Sequence, residues 1–374
     1  MTENVAIGAE RPVRGALWAL TIVGRLIISI LVPLVAFVIL WQGFLFLRQN
    51  DAPKVVTGAI AIVWGVGGVA LIYWVMNWFL ARLPERVGSR ILPYLFVGPA
   101  IAILIWFLAL PTVRTLWISL FNSDSTKFVG LGNYTSIFGD PAMLEVFRNN
   151  LLWLVFGTTA VVVLGLVIAV LADRSRFESL AKAIIFMPMA ISFVGAGIIW
   201  NFVYVYRQAG QPQIGLLDAG VTALGGQPQP WTTLLQPWNN LFLIVIMVWL
   251  QVGFAMVLFS AAIKGIPAEL TEAARVDGAT ERQVFMRVTI PSIRGTIITV
   301  STTVIILTLK IFDVVIVMTG GQFGTGVIGT EFYRQYFTNR NFGIGSALAV
   351  ILLIAVIPVM IYNLRRFRGQ AGFR

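Results

Sequence analysis

Eight stretches of about twenty or more predominantly apolar residues dominate this chain. They lie at roughly 25–47, 55–81, 91–120, 150–172, 181–206, 239–263, 294–318 and 345–364. About twenty such residues make a helix long enough to cross a bilayer. Inside lipid every backbone N–H and C=O needs an internal partner, so only helices and closed barrels can span it. No series of short alternating segments suggests a barrel. The fold class that follows is an all-α integral membrane protein with about eight transmembrane helices. Pro33, Pro99, Pro188 and Pro358 fall within these stretches. They are tolerable where neighbouring helices or water satisfy the freed carbonyls.

Lysine and arginine set the orientation. With the N-terminus in the cytoplasm, the inner segments hold 18 of them and the outer segments 8, with Lys310 left inside a span. That bias predicts N-in, C-in topology. The net charge of +11 then reports topology, and no nucleic-acid partner is expected. The first apolar run lacks a small-residue cleavage site and reads as a retained span. The chain has neither cysteine nor histidine, which excludes disulfides, Cys/His metal sites, Ser-His-Asp catalysis and histidine proton relays. No metal site is expected. Three outer connections, 121–149, 207–238 and 319–344, are too short for separate domains. The third contains "GGQFGTG", which reads as a flexible outer loop.

Between the sixth and seventh stretches lies the cytoplasmic run "KGIPAELTEAARVDGATERQVFMRVTIP". Pro267 suits a first helical turn, Glu269 sits near the positive helix end, and "AELTEAARV" is rich in helix formers. Asp277-Gly278 marks a stop, because glycine accepts the left-handed conformation that ends a helix. Thr280 and Gln283 have the spacing of a capping box for a second helix, which Pro291 ends. The product is a helix–turn–helix elbow with small residues, Ala273, Ala274 and Gly278, at its corner. Spacing alone leaves two readings, a tight surface reversal and a docking site.

Glu272-Ala273-Ala274, three residues, Gly278, nine residues and then "VTIP" resembles the EAA loop of ABC importer permeases. Further stretches agree in order: "LPYLFVGPAIAILIWFLALPTVRTLWISLFNS", "FVGLGNY", "RNNLLWLVFGT", "IIFMPMAISFVGAGIIWNFVY", "GIPAELTEAARVDGA" and "LKIFDVVIVMTGG". Over about residues 91–368 the chain resembles carbohydrate permeases of the maltose type, larger subunit. The 308–337 region is most similar to the α-glucoside branch, with Gln322 where the family usually has proline. The resemblance implies a six-span type I importer core at 91–368, with the coupling elbow at about 264–292. Residues 1–90 form a cytoplasmic segment and two extra peripheral helices, and 369–374 a cytoplasmic tail. It implies that Glu272, Ala273, Ala274, Asp277, Gly278 and Phe285 contact an ATPase, with Glu272 pairing with an arginine there. The implied partners are a second homologous permease, two cytoplasmic ATPase subunits and an extracytoplasmic sugar-binding protein, in a bacterial or archaeal cell membrane.

The chain has no "GxxxxGK[ST]" phosphate loop, so ATP and Mg are expected on the partner ATPase and no cofactor on this chain. It is expected not to be an enzyme. A sugar path needs polar groups and aromatic faces at mid-membrane. Gln251 and Phe254 lie near the middle of the sixth span, Leu307 and Thr308 past the middle of the seventh, and Asn201 towards the outer end of the fifth. The matching positions of Gln251, Phe254, Leu307 and Thr308 line the sugar site in the maltose-type permease. Ordinary helix packing is the bland alternative. Lys310 and Asp313, at i and i+3 on the seventh span, are expected to share a helix face as a mutually neutralising ion pair or a gate. An importer for polyamines or phosphate, and a stand-alone carrier or channel, are the rival readings.

Overall fold

A computed structural model describes residues 11–49, 52–80 and 85–371. The expected N-terminal cytoplasmic segment falls partly outside them, as do Arg82 of the second inner connection and the end of the tail with Arg374. All described secondary structure is helical, apart from one isolated bridge between Phe121 and Phe128. Two compact units divide the chain, Met1–Leu110 and Pro111–Arg374.

In the first unit, α1 (Arg11–Gln49) and α2 (Lys54–Leu80) form an antiparallel pair, followed by α3 (Glu85–Leu104) and a π-helical turn at Ile105–Ala109. Gly43 is what lets α1 meet α2. A methyl group there would come within 2.1 Å of the Trp64 indole nitrogen. The Tyr73 and Phe96 rings meet at a tilt, 5.8 Å apart, between α2 and α3. Only 6% of the apolar window of α2 is buried by protein, as expected of a helix bathed in lipid.

In the second unit α4 (Leu110–Ile118) leads to two outer helices, α5 (Gly132–Gly139) and α6 (Pro141–Leu152). A π-helical turn at Trp153–Gly157 joins α6 to α7 (Thr158–Asp173), so one helical run spans Pro141–Asp173. Asp140 caps α6, accepting from the Ala142 N–H at 2.9 Å. Next come α8 (Glu178–Phe186), α9 (Phe193–Tyr204), the outer α10 (Leu216–Ala223) and the long α11 (Trp238–Lys264). The elbow contains α12 (Ala268–Val276), α13 (Glu281–Val284) and α14 (Ile290–Ser292). The chain then continues through α15 (Arg294–Leu309), α16 (Asp313–Met318), α17 (Ile328–Tyr333) and α18 (Phe342–Ala371).

The core is built around α11, 56% of whose apolar window is buried. Leu243, Ile246, Met247, Leu250, Met256 and Phe259 are sealed from solvent. Lipid offers no hydrophobic drive for helix association, so close approach through small residues matters more. Gly165 of α7 meets Ala255 of α11, where an added methyl would stand 2.5 Å from the Ala255 Cβ. Gly253 lies equally close to the Ile185 carbonyl.

Among the described residues six helices are long and apolar enough to cross a membrane, and up to eight spans result when each of two bent pairs counts as one. One of these bends, and a separate break in the seventh stretch, correct the sequence reading. The fifth stretch turns by 104° between α8 and α9, through a 3-10 turn containing Pro188. Ser192 caps α9 there, accepting from the Gly195 N–H at 3.0 Å. The seventh stretch, read as one helix over 294–318, breaks at Lys310–Phe312. Lys310 and Asp313 therefore share no helix face. Lys310 is exposed and Asp313 half-buried, and among the described residues no ion pair joins them. The break is supported from outside: the Asn150 amide reaches the Leu309 carbonyl over a long 3.5 Å, and its Oδ1 accepts from the Ile328 N–H at 2.7 Å.

Candidate functional site

The elbow forms as its turn chemistry dictates. Pro267 stands just before α12, and Glu269 lies in the first turn. Gly278 ends the helix at φ +79°. The Ala279 N–H returns to the Ala274 carbonyl, and the Gly278 N–H to that of Arg275, both at 3.0 Å, the paired bonds of a Schellman motif. Thr280 and Gln283 then form the expected capping box, with the Thr280 N–H donating to the Gln283 side chain at 2.8 Å. Val284 is buried, with Phe285 and Val288 half-buried beside it. The chain bends by 67° into the next span at Ile293. Glu272, Ala273, Asp277 and Gly278 are exposed and Ala274 is half-buried, so one surface presents a carboxylate over little side-chain bulk. Among the described residues Glu272 enters no ion pair.

An ion-pair brace holds the elbow from behind. The Arg275 Nε donates to Glu281 at 2.7 Å, joining α12 to α13 across the Gly278 turn. This bond holds the Arg275 guanidinium above its ordinary value. Arg174, just after α7, lies 3.9 Å from the other Glu281 oxygen. Nearer the bilayer, Lys182 of α8 sits 2.5 Å from both Asp173 and Glu178. Ser260 of α11 donates to Asp173 at 2.6 Å, and Lys264 pairs with Glu178. A cavity of about 360 Å³ lies between this knot and the elbow, lined among others by Asp173, Arg174, Lys264, Arg275, Glu281 and Phe285. Sequence reasoning used Lys182 and Lys264 only to orient the chain. Acids close to them at the ends of adjacent spans were the available signal for the knot.

The mid-membrane candidates separate. Gln251 is buried on α11, and its amide makes no hydrogen bond among the described residues, which leaves it free for a passing polar group. Phe254 and Leu307 are half-buried. Thr308 is fully enclosed; its hydroxyl donates to the Val304 carbonyl at 2.8 Å and lies 3.6 Å from the Met247 sulfur. Met247 is one turn from Gln251, so these two candidates lie near one another across α11 and α15. Asn201 is exposed on α9.

At the outer end the structure corrects a second expectation. The "GGQFGTG" segment is not a free loop. Four side-chain amides hold its carbonyls. Asn149 donates to Gly324 and Gly326 at 2.8 Å each, and Asn239 to Phe323 at 2.6 Å. Gln236 and Asn240 also donate to Gly324. Three of the four donors come from "RNNLL" and "WNNLF", two asparagine pairs at the mouths of apolar helices, and Gln236 stands just before the second. Such costly placement was the signal that sequence reasoning passed over.

The elbow, the core helices and both bent spans lie within residues 161–368, which match the model of the family described as "Binding-protein-dependent transport system inner membrane component". The chain belongs to this family. It is a permease subunit of an ABC importer, an inner-membrane protein. An osmoprotective compounds uptake permease protein of Synechocystis sp. is 56% identical over 280 residues, 75% of this permease and 100% of the relative. An alpha-glucoside transport system permease protein of Rhizobium meliloti is 43% identical over 333 residues, 85% of this chain and 99% of the relative. The fold is similar to that of a chain in a bacterial alginate ABC transporter, solved in complex with an alginate pentasaccharide-bound periplasmic protein. That match has a TM-score of 0.63 at 22% identity and covers 74% of this permease and 96% of that chain.

Proposed function

We propose that this permease is the larger transmembrane subunit of an ATP-driven carbohydrate importer that carries an α-glucoside or another oligosaccharide. The observation that carries this reading is the 43% identity to the alpha-glucoside permease protein across 99% of that protein's length. An extracytoplasmic binding protein delivers the sugar, a second homologous permease completes the path, and two ATPase subunits bind ATP and Mg. This chain binds no cofactor and catalyses no reaction. Glu272, Ala273, Ala274, Asp277, Gly278 and Phe285 form the contact with the ATPase, and the exposed, unpaired Glu272 is the anion for an arginine there. Closure of the ATPase dimer moves the elbow, and the spans reopen outward. The unbonded Gln251 amide, with Phe254, Leu307 and Thr308 nearby and Asn201 farther out, marks the sugar path.

The test is to purify the permease with its partners, reconstitute the complex and measure ATP hydrolysis with a panel of sugars, polyamines and phosphate esters. An α-glucoside should stimulate hydrolysis, and a Gln251→Leu variant should lower sugar flux while leaving assembly intact. Stimulation only by a polyamine or phosphate ester, or flux without ATP, would sink the proposal.

A further inference from the structure

We propose that the outer end of this permease carries a second carbohydrate-binding pocket, formed by α6, the 319–327 loop and α17, which holds one hydroxyl-rich sugar end. This rests on the carbohydrate reading above. The cavity measures about 170 Å³ and is lined among others by Glu145, Asn149, Gly320, Gly324, Glu331 and Arg334. It is too small for a whole oligosaccharide, since pockets that swallow a drug-sized ligand start at about 300 Å³. It lies at the level of Gly324, which Asn240 holds. Asn240 precedes Gln251 by eleven residues of α11, roughly 16 Å along the helix axis. The two sites are therefore distinct.

Three observations point to a ligand. Asn149 is fully enclosed and spends both amide hydrogens on Gly324 and Gly326, yet its Oδ1 is buried with no donor. A buried acceptor left unmade is costly, and Asn149 belongs to the wall of this cavity. Second, both signs of charge face the space. Glu145 accepts from Gln236 through Oε1 at 2.6 Å. Glu331, only 4% exposed, holds Arg334 on one oxygen and Gln335 on the other. A bare anion would meet two carboxylates and a bare cation would meet a guanidinium. A hydroxyl group both donates and accepts, and so suits this mixture. Third, the wall has to be glycine: a methyl group on Gly324 would stand 2.7 Å from the Glu145 Oε1 and 2.3 Å from the Gln236 amide nitrogen.

The experiment uses the assembled complex in lipid nanodiscs without its binding protein, probed with methyl α-glucoside by saturation-transfer NMR. Saturable binding is expected. Glu145→Gln should weaken it about tenfold, the scale of one charged hydrogen bond. Ala142→Trp, a substitution on the exposed first turn of α6 that leaves the amide clamp untouched, should abolish it. Absence of binding to the wild type, or wild-type binding in both variants, overturns the pocket. Saturable binding of calcium or phosphate in place of the glycoside does so too. Sugar-stimulated ATP hydrolysis, measured in parallel with the binding protein added, separates the two claims. If no sugar stimulates the wild type, the importer reading fails; if a sugar does and both variants match wild type throughout, the pocket alone fails.

Discussion

Replacing Gly278 by alanine isolates the backbone contribution to the elbow. The residue sits at φ +79°, and an added methyl group would find nothing within 4 Å. No clash contributes, so the whole penalty is that of a side chain in the left-handed region, about 1–2 kcal/mol. That corresponds to roughly a 5- to 30-fold shift of the elbow from ordered to frayed. The perturbation is local. Both Schellman bonds, Ala279 to Ala274 and Gly278 to Arg275, lie in the turn, and the sealed core around α11 is untouched. Gly278→Ala should therefore reach the membrane and assemble in normal amount while losing sugar-stimulated ATP hydrolysis in the reconstituted complex. Gly278→Asn should fall between the two, because asparagine tolerates this conformation better than alanine. Equal stimulation in all three proteins would refute the claim that the elbow's turn geometry limits coupling. Loss of assembly in the alanine variant would show that the turn supports the fold itself.

Two further outcomes follow from the packing. Lys182→Met leaves Asp173 and Glu178, both under one-third exposed, without their shared cation. Asp173 then loses its only cation among the described residues while Glu178 keeps Lys264, and an uncompensated charge at a helix junction is destabilising. A lower thermal midpoint by fluorescence-detected size-exclusion chromatography would register it. Gly165→Ile places a branched side chain where even a methyl stands 2.5 Å from the Ala255 Cβ. The helices must separate, and membrane abundance measured by blotting should fall sharply.

The chain's own chemistry announced the parts governed by local rules. The spans follow from hydropathy, and the elbow from Gly278, Thr280 and Gln283, whose turn and capping preferences act within a few residues. The bend at α8–α9 and the break at Lys310–Phe312 were hidden for the opposite reason. An apolar window looks the same whether its helix is straight or broken, and the groups that stabilise the seventh-span break come from Asn150, some 160 residues upstream. The amide clamp on the 319–327 loop was hidden in the same way. Its acceptors are backbone carbonyls, which leave no trace in side-chain identity, and its donors sit on helices distant in sequence. The candidate path was half legible. Gln251 was marked by being polar at mid-span, whereas the commitment of the Thr308 hydroxyl to the Val304 carbonyl one turn back, a local bond helical threonine commonly makes, was passed over.

The break after Leu309 assigns the two pieces of the seventh span to different neighbours. Val317 of α16 presses on Gly197 of α9, where an added methyl would stand 2.8 Å from its Cγ1. α15 instead packs on α7 and α18, while α11 touches both pieces. An unbroken rod from Arg294 to Met318 would oblige α9 and α18 to tilt in concert. With three non-helical residues between the pieces, a swing that starts at the cytoplasmic elbow can turn α15 while α16 stays seated on α9, so the inner and outer mouths of the permease need not open together.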